Sequence, residues 1–421
     1  MTTIDAPPRS ERRLHHDRPG AEARPRGLLA RVAHIGGADT SVFWWLVSVV
    51  SVLNIIGLVM VLSASSVTSL EETGSAWTYF SRQLTWTLVG CVVAFALLHV
   101  SLDALRRYAT GALALCVVGL LAVHVPGLGV SANGATRWIG VGPVQIQPSE
   151  LTKLALIGVV ADWLARNERF LDVSRIVVRP MMLLLGFVAA LVMLQPNLGT
   201  TIVIAATVFV MLFAAGAPRR ALAGWGIVGT IGAFVAAMGT SYRRARVLSF
   251  LDPWADPQRA GYQLIQSRVG LASGGVFGVG LGASRAKWGF LPFAHTDFIF
   301  AIVGEELGLV GASVVIGAFI AFGLLGIRVA LHAENRFGAL VAIGVTAWIV
   351  IQAFVNIGAV VGILPITGVP LPFLSYGGTS MVVTLAAVGL LLNVARHPAP
   401  TSGSTGSRRR AAQSAPRRAR R

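Results

Sequence analysis

The sequence predicts an all-α, polytopic integral membrane protein with about ten transmembrane helices and a long extracytoplasmic loop between the seventh and eighth. Three observations predict it. The 421 residues are 54% hydrophobic and only 13% charged, with a mean hydropathy of +0.70, too few charges for a soluble globule or a disordered chain. Apolar windows of about 20 residues recur, each able to cross about 30 Å of hydrocarbon as a helix. These windows do not alternate in polarity, which argues against a closed barrel, the other way to span a bilayer.

We place the windows at 42–64, 81–100, 109–125, 150–165, 180–195, 198–216, 222–240, 298–327, 337–361 and 377–394. With the amino terminus inside, the short inner loops 101–108, 166–179, 217–221 and 328–336 hold ten Arg or Lys. The short outer loops 65–79, 126–149, 195–197 and 362–376 hold one, Arg137, or two if the boundary residue Arg82 is counted. That asymmetry puts both termini in the cytoplasm. Residues 1–41 and 396–421, rich in Pro, Gly, Ser and Arg, read as basic cytoplasmic tails without fixed structure. Between them, 42–395 forms the membrane domain. No cleavable leader is legible, so the span from Val42 reads as an uncleaved anchor. Fifteen arginines of a chain with net charge +17 lie in the tails. Their expected partner is anionic membrane lipid, at about 1 kcal/mol per basic residue near the surface, and not nucleic acid.

The loop 241–297 is too short for a domain and too long for a passive connector. It carries seven basic residues, Arg243, Arg244, Arg246, Arg259, Arg268, Arg285 and Lys287, a cluster that asks for an anionic partner. Asp252-Pro253-Trp254-Ala255-Asp256-Pro257 reads as consecutive turns. Leu264, Ile265, Val269 and Ala272 recur at helical spacing, as in a short amphipathic helix. Gly278, Gly280 and Ala283 formally fit a dinucleotide fingerprint but lack a βαβ context. Glycines here serve tight turns and close backbone approach.

Few of the eighteen carboxylates reach the outer face. Asp297 stands where the polar loop gives way to a strongly apolar helix, poised for chemistry on an anionic lipid, although an Asp at that place also suits helix capping. Glu305 and Glu306 lie about 12 Å further along the same helix by helical rise. Ionisable groups at that depth are costly and usually functional, yet hydrogen bonding to neighbouring helices is the plainer role. Glu150 and Lys153 are three apart on one helical face, so the lysine's anion is either Glu150 or a substrate. Arg137 sits beside Trp138 in a short outer loop. Three prolines in the run Pro365 to Ser380 forbid a continuous helix, and irregular backbone at a membrane edge lines a cavity. Gln195 to Thr200 makes a tight outer turn. His124 and His295 have no third ligand at zinc spacing, so no metal site is expected. Cys91 and Cys116 read as helix packing residues.

At these motifs the chain resembles the SEDS family (shape, elongation, division and sporulation), of FtsW/RodA type, over residues 42–395. His295 to Phe300 with Gly304 to Gly308, Pro370 to Ser380, Gln147 to Lys153, and Gln195 to Thr200 match its signatures. The loop text around Asp252 and Gly278 to Pro292 is more similar to division-type members than to elongation-type ones. Asn197 stands where the family commonly has Asp, and Phe293 where an acidic residue is frequent.

The resemblance implies a peptidoglycan glycosyltransferase acting in cell division on lipid II, the undecaprenyl pyrophosphate-linked disaccharide pentapeptide. Asp297 would be the catalytic base. Arg137, Lys153, Glu150, Arg243, Arg246, His295, Gln195 and Ser375 would face substrate, with Glu305 and Glu306 in support. A divalent cation, Mg or Mn, would be the only helper. The implied partners are a class B penicillin-binding protein transpeptidase and other division proteins at the septum. A lipid II flippase, an elongation role, and a scaffold acting through its tails are the competing readings; buried charges argue against the scaffold.

Overall fold

The computed structural model describes residues 40–132, 135–141 and 144–398; apart from their inner ends, the two basic tails lie outside the described residues. Apolar windows of the required length fold as helices because lipid leaves every backbone polar group to be satisfied within the segment. Before the long loop come α1 (Thr40–Thr73), α2 (Thr78–Leu98), α3 (Leu102–Ala122), α4 (Pro148–Arg166), α5 (Val178–Leu194), α6 (Leu198–Ala215) and α7 (Arg219–Met238). The loop carries α8 (Ser241–Leu251) and α9 (Tyr262–Ser273), and α10 (Ile299–Leu331), α11 (Arg336–Val361) and α12 (Gly378–Arg396) follow.

Each expected window coincides with one of these helices. Eight are long and apolar enough to cross a membrane. The seventeen-residue α5 is shorter, and α4 carries Glu150, Lys153, Asp162 and Arg166. The surface is that of a multi-pass membrane protein: Val92, Phe95, Leu115, Ile231 and Phe234 face outward while Glu150, Lys153, Glu305 and Glu306 are buried. Cys91 also faces outward, and so does not pack as expected. α11 and α12 are the most enclosed spans, and α7 is almost wholly bared. α2 and α12 approach closely at Gly389, where an added Cβ would lie 2.4 Å from Ala94 O, the small-residue contact usual between membrane helices.

Besides the loop helix α8, two features were not expected. Residues 126–149 read as a short loop, yet they hold a three-stranded antiparallel sheet of β1 (Gly129–Ala132), β2 (Ala135–Val141) and β3 (Val144–Ile146). Its register sets Val130 opposite Trp138 and Ile139 opposite Ile146. In the long loop, α9 covers the expected amphipathic segment, and Asp252 caps the turn at Trp254 N (3.0 Å) as its sequence suggests. α8 was not foreseen.

The second feature is a break in α10 at Gly308, with φ 67° and ψ −164°. The freed carbonyls of Glu305 and Glu306 accept from Val279 N (3.0 Å) and Gly280 N (3.1 Å), while Leu309 N and Val310 N donate to Gly275 O and Val276 O. The glycine-rich loop thus supplies the hydrogen bonds that the helix loses, as irregular backbone at membrane depth requires. Gly278 sits at φ +82°, and a Cβ there would lie 2.1 Å from Glu306 O. Gly278→Ala should therefore destabilise the protein by at least about 2 kcal/mol. Gly224→Ala, with nothing within 4 Å of its added Cβ, should leave the melting temperature in detergent unchanged.

Candidate active site

Asp297 is half-buried on a backbone that is pinned at three consecutive carbonyls. Tyr376 N donates to His295 O (2.9 Å), Ser375 Oγ to Thr296 O (2.6 Å), and Asn356 Nδ2 to Asp297 O (2.8 Å). Upstream, Phe293 adopts φ 62°, and its carbonyl accepts from Thr296 N and Phe298 N. That turn directs the chain into α10. The N-cap of α10 falls on Phe298, and no side chain caps it. Capping therefore does not account for the Asp297 carboxylate.

Two guanidinium groups face that carboxylate. Burial lifts its pKa above the usual carboxylate value, while Arg246 and then Arg137 pull it back part of the way. A Cβ built on Gly368 would lie 3.5 Å from Asp297 Oδ2 and 3.8 Å from Arg246 Nη1. With φ +70°, this glycine lets the backbone pass beside both charges. Arg137, on β2, donates to Gln195 O (3.1 Å) and Pro196 O (2.7 Å). The sheet thereby ties the Gln195 turn to the site.

The remaining candidates divide. Arg246 lies at the site, whereas Arg243, on the same helix, donates to Ala236 O at 3.1 Å. His295 rests against Tyr79 and Tyr376, at 5.3 and 5.7 Å between centroids. Burial lowers its pKa, so the ring is held toward its neutral form. Four substrate-facing expectations need correction. Lys153 Nζ meets Glu150 Oε1 at 2.9 Å with side chains only 3% and 2% exposed: they form an internal ion pair, because a cation in that interior needs its anion close by. The Gln195 side chain is buried and donates to Leu120 O. Ser375 accepts from Leu371 N and donates to Thr296 O, so it clamps the loop that carries Asp297.

Glu305 and Glu306 support that loop's neighbourhood. Glu305 accepts from Ser284 Oγ, Arg285 N and Ala286 N, and Glu306 from Ser63 Oγ and Ser284 N. Asn197, in place of the family's Asp, still caps α6 by accepting from Thr200 N (3.2 Å). The residues that sequence reasoning passed over are Gln352 and Asn356, while Gly368 lay inside the run Pro365 to Ser380 without a role of its own. The first two are uncharged polar residues at i and i+4 within an apolar span, and that spacing was the available signal. Among the described residues no group of three or more His, Cys, Asp or Glu gathers to hold a metal ion.

The sequence profile for FtsW, RodA and SpoVE, described as cell cycle protein, matches residues 43–399. The chain belongs to the FtsW/RodA/SpoVE family. A probable peptidoglycan glycosyltransferase FtsW of Mycobacterium tuberculosis is 42% identical over 90% of this chain and 72% of its own length. Stage V sporulation protein E of Bacillus subtilis is 40% identical over 84% and 96%. Among solved structures, a chain of a peptidoglycan synthase complex matches with a TM-score of 0.69 at 30% identity, over 84% of this chain and 97% of that one. RodA of Thermus thermophilus matches with a TM-score of 0.61 at 30% identity, over 84% and 96%.

Proposed function

We propose that this FtsW/RodA/SpoVE-family chain polymerises lipid II into glycan strands at the outer face of the cytoplasmic membrane, with Asp297 as general base. The enzyme class is that of its relatives, peptidoglycan glycosyltransferases about 40% identical over most of the chain. The residue assignment rests on one observation: a half-buried carboxylate that caps no helix, on a backbone braced at three carbonyls, faces two guanidinium groups at the start of an apolar helix.

The raised pKa makes Asp297 a stronger base than an ordinary aspartate. It takes the proton of the acceptor sugar's 4-hydroxyl as that oxygen bonds to the donor's anomeric carbon. The bond from that carbon to the diphosphate breaks, and the configuration inverts in a single displacement. Arg246 and Arg137 are placed to hold the charge that develops on the leaving diphosphate. A divalent cation would arrive bound to the diphosphate, since Mg²⁺ keeps most of its waters and binds through phosphates with one or two carboxylates. A class B penicillin-binding transpeptidase is the partner we propose, with both termini cytoplasmic and the septum as the place of action.

A flippase would use broken helices and mid-membrane acids, and α10 has both. Here, however, Glu305 and Glu306 are engaged with the loop around Ser284. The test is to supply labelled lipid II in detergent to the purified chain with its transpeptidase. Glycan strands are expected; a flippase makes none where there are no two sides.

A further inference from the structure

Trp348, Gln352 and Asn356 stand four residues apart on α11 and so share one face. All three are almost inaccessible, at 1%, 0% and 2% exposure, where a polar group is costly unless it is bonded. Gln352 Oε1 accepts from Lys153 Nζ and Trp348 Nε1, both at 2.7 Å, and its Nε2 donates to Pro370 O at 2.9 Å. Asn356 Nδ2 donates to Asp297 O and to Val369 O, both at 2.8 Å. Its Oδ1 has no partner, so the bonding of this side chain is directed wholly at those two carbonyls.

The two segments joined by that nitrogen are the ones that form the site. One carries Asp297. The other carries Gly368, beside Val369, whose added Cβ would lie against both Asp297 Oδ2 and Arg246 Nη1. Both are irregular backbone, which cannot satisfy its own carbonyls and takes its position from whatever binds them. We propose that Asn356 is a positioning residue of the active site, fixing the Asp297 carboxylate against the wall formed by Gly368 and Arg246 by bracing both segments with one amide nitrogen. Gln352 extends the brace one residue, through Pro370, to the Glu150–Lys153 pair. The inference rests on Asp297 being the base. Displacements of about 1 Å in such a site cost about 100-fold in rate.

Asn393 gives a matched control. It is equally buried, at 2% exposure, and from α12 it also bridges two carbonyls, Leu97 O at 2.8 Å near the end of α2 and Val100 O at 2.6 Å just past it. Polymerisation of labelled lipid II is measured for the full chain with its transpeptidase, alongside melting temperature. Asn356→Ala should lower kcat by about 10-fold or more with KM within about two-fold. The acid limb should move to higher pH as the carboxylate drifts from Arg246. Asn393→Ala should lose a similar amount of melting temperature but keep kcat and the limb. Should Asn356→Ala fail to fold, Asn356→Ser is measured in its place, with the same expected pattern. Unchanged kcat and limb in the Asn356 variant, or equal loss of kcat in Asn393→Ala, would overturn the proposal. Asp297→Asn separates the two levels: if it still polymerises, the base assignment falls, and if it is inactive while Asn356→Ala is normal, only the brace falls.

Discussion

Asp297→Asn should reduce glycan-strand synthesis by about 100- to 10,000-fold, the range that a positioned general base contributes, while leaving the protein at least as stable as before. The second half of that expectation follows from the sign of the pKa shift. Burial raises the folded-state pKa above the usual 3.8, so the folded protein binds this proton more tightly than the unfolded chain does. Stability is therefore highest where the group is protonated and falls as pH rises through the folded pKa. Asparagine mimics the protonated form and should lose nothing. Activity has the opposite dependence, because the base must be ionised. The acid limb of kcat/KM should lie above the ordinary carboxylate range and disappear from the residual activity of the variant. An equal fall in melting temperature and activity would mark Asp297 as structural.

Much of this site was legible because membranes punish ambiguity. A run of about 20 apolar residues has few folded options in lipid, and so every expected window is a helix. Helix ends were less legible. α1 continues to Thr73, past the end of its window, because polar residues such as Glu71 and Glu72 mark where hydrocarbon stops and not where the helix does. The sheet at 129–146 was missed because strands of three to seven residues show too little alternation to read. The break at Gly308 has no local signal, since it is stable only once residues 275–280 arrive to bond the freed groups. Asp297 stood out as a charge at a polar-to-apolar junction. Gln352 and Asn356 did not, because amides lie quietly in an apolar run and their partners, Pro370 and Asp297, are revealed only by folding.

The buried pair beneath the site should show the largest stability effect. Lys153 lies 2.9 Å from Glu150 and 4.6 Å from the centroid of the Trp348 ring, and is bonded to Gln352. Removing one partner leaves an unpaired charge in the interior, at a cost of about 3–5 kcal/mol. Lys153→Met and Glu150→Gln should each fall sharply in melting temperature and in yield from the membrane. The double variant should regain much of that loss, because two neutral side chains of similar volume no longer need each other. The cycle also decides what the lysine is for. If its charge serves only Glu150 and Gln352, the stable double variant should recover substrate affinity as it recovers stability. If it binds lipid II, affinity should stay lost in a well-folded protein. Its 4% exposure favours the first outcome, since a group closed off from solvent by Glu150, Trp348 and Gln352 has no side left to offer a diphosphate.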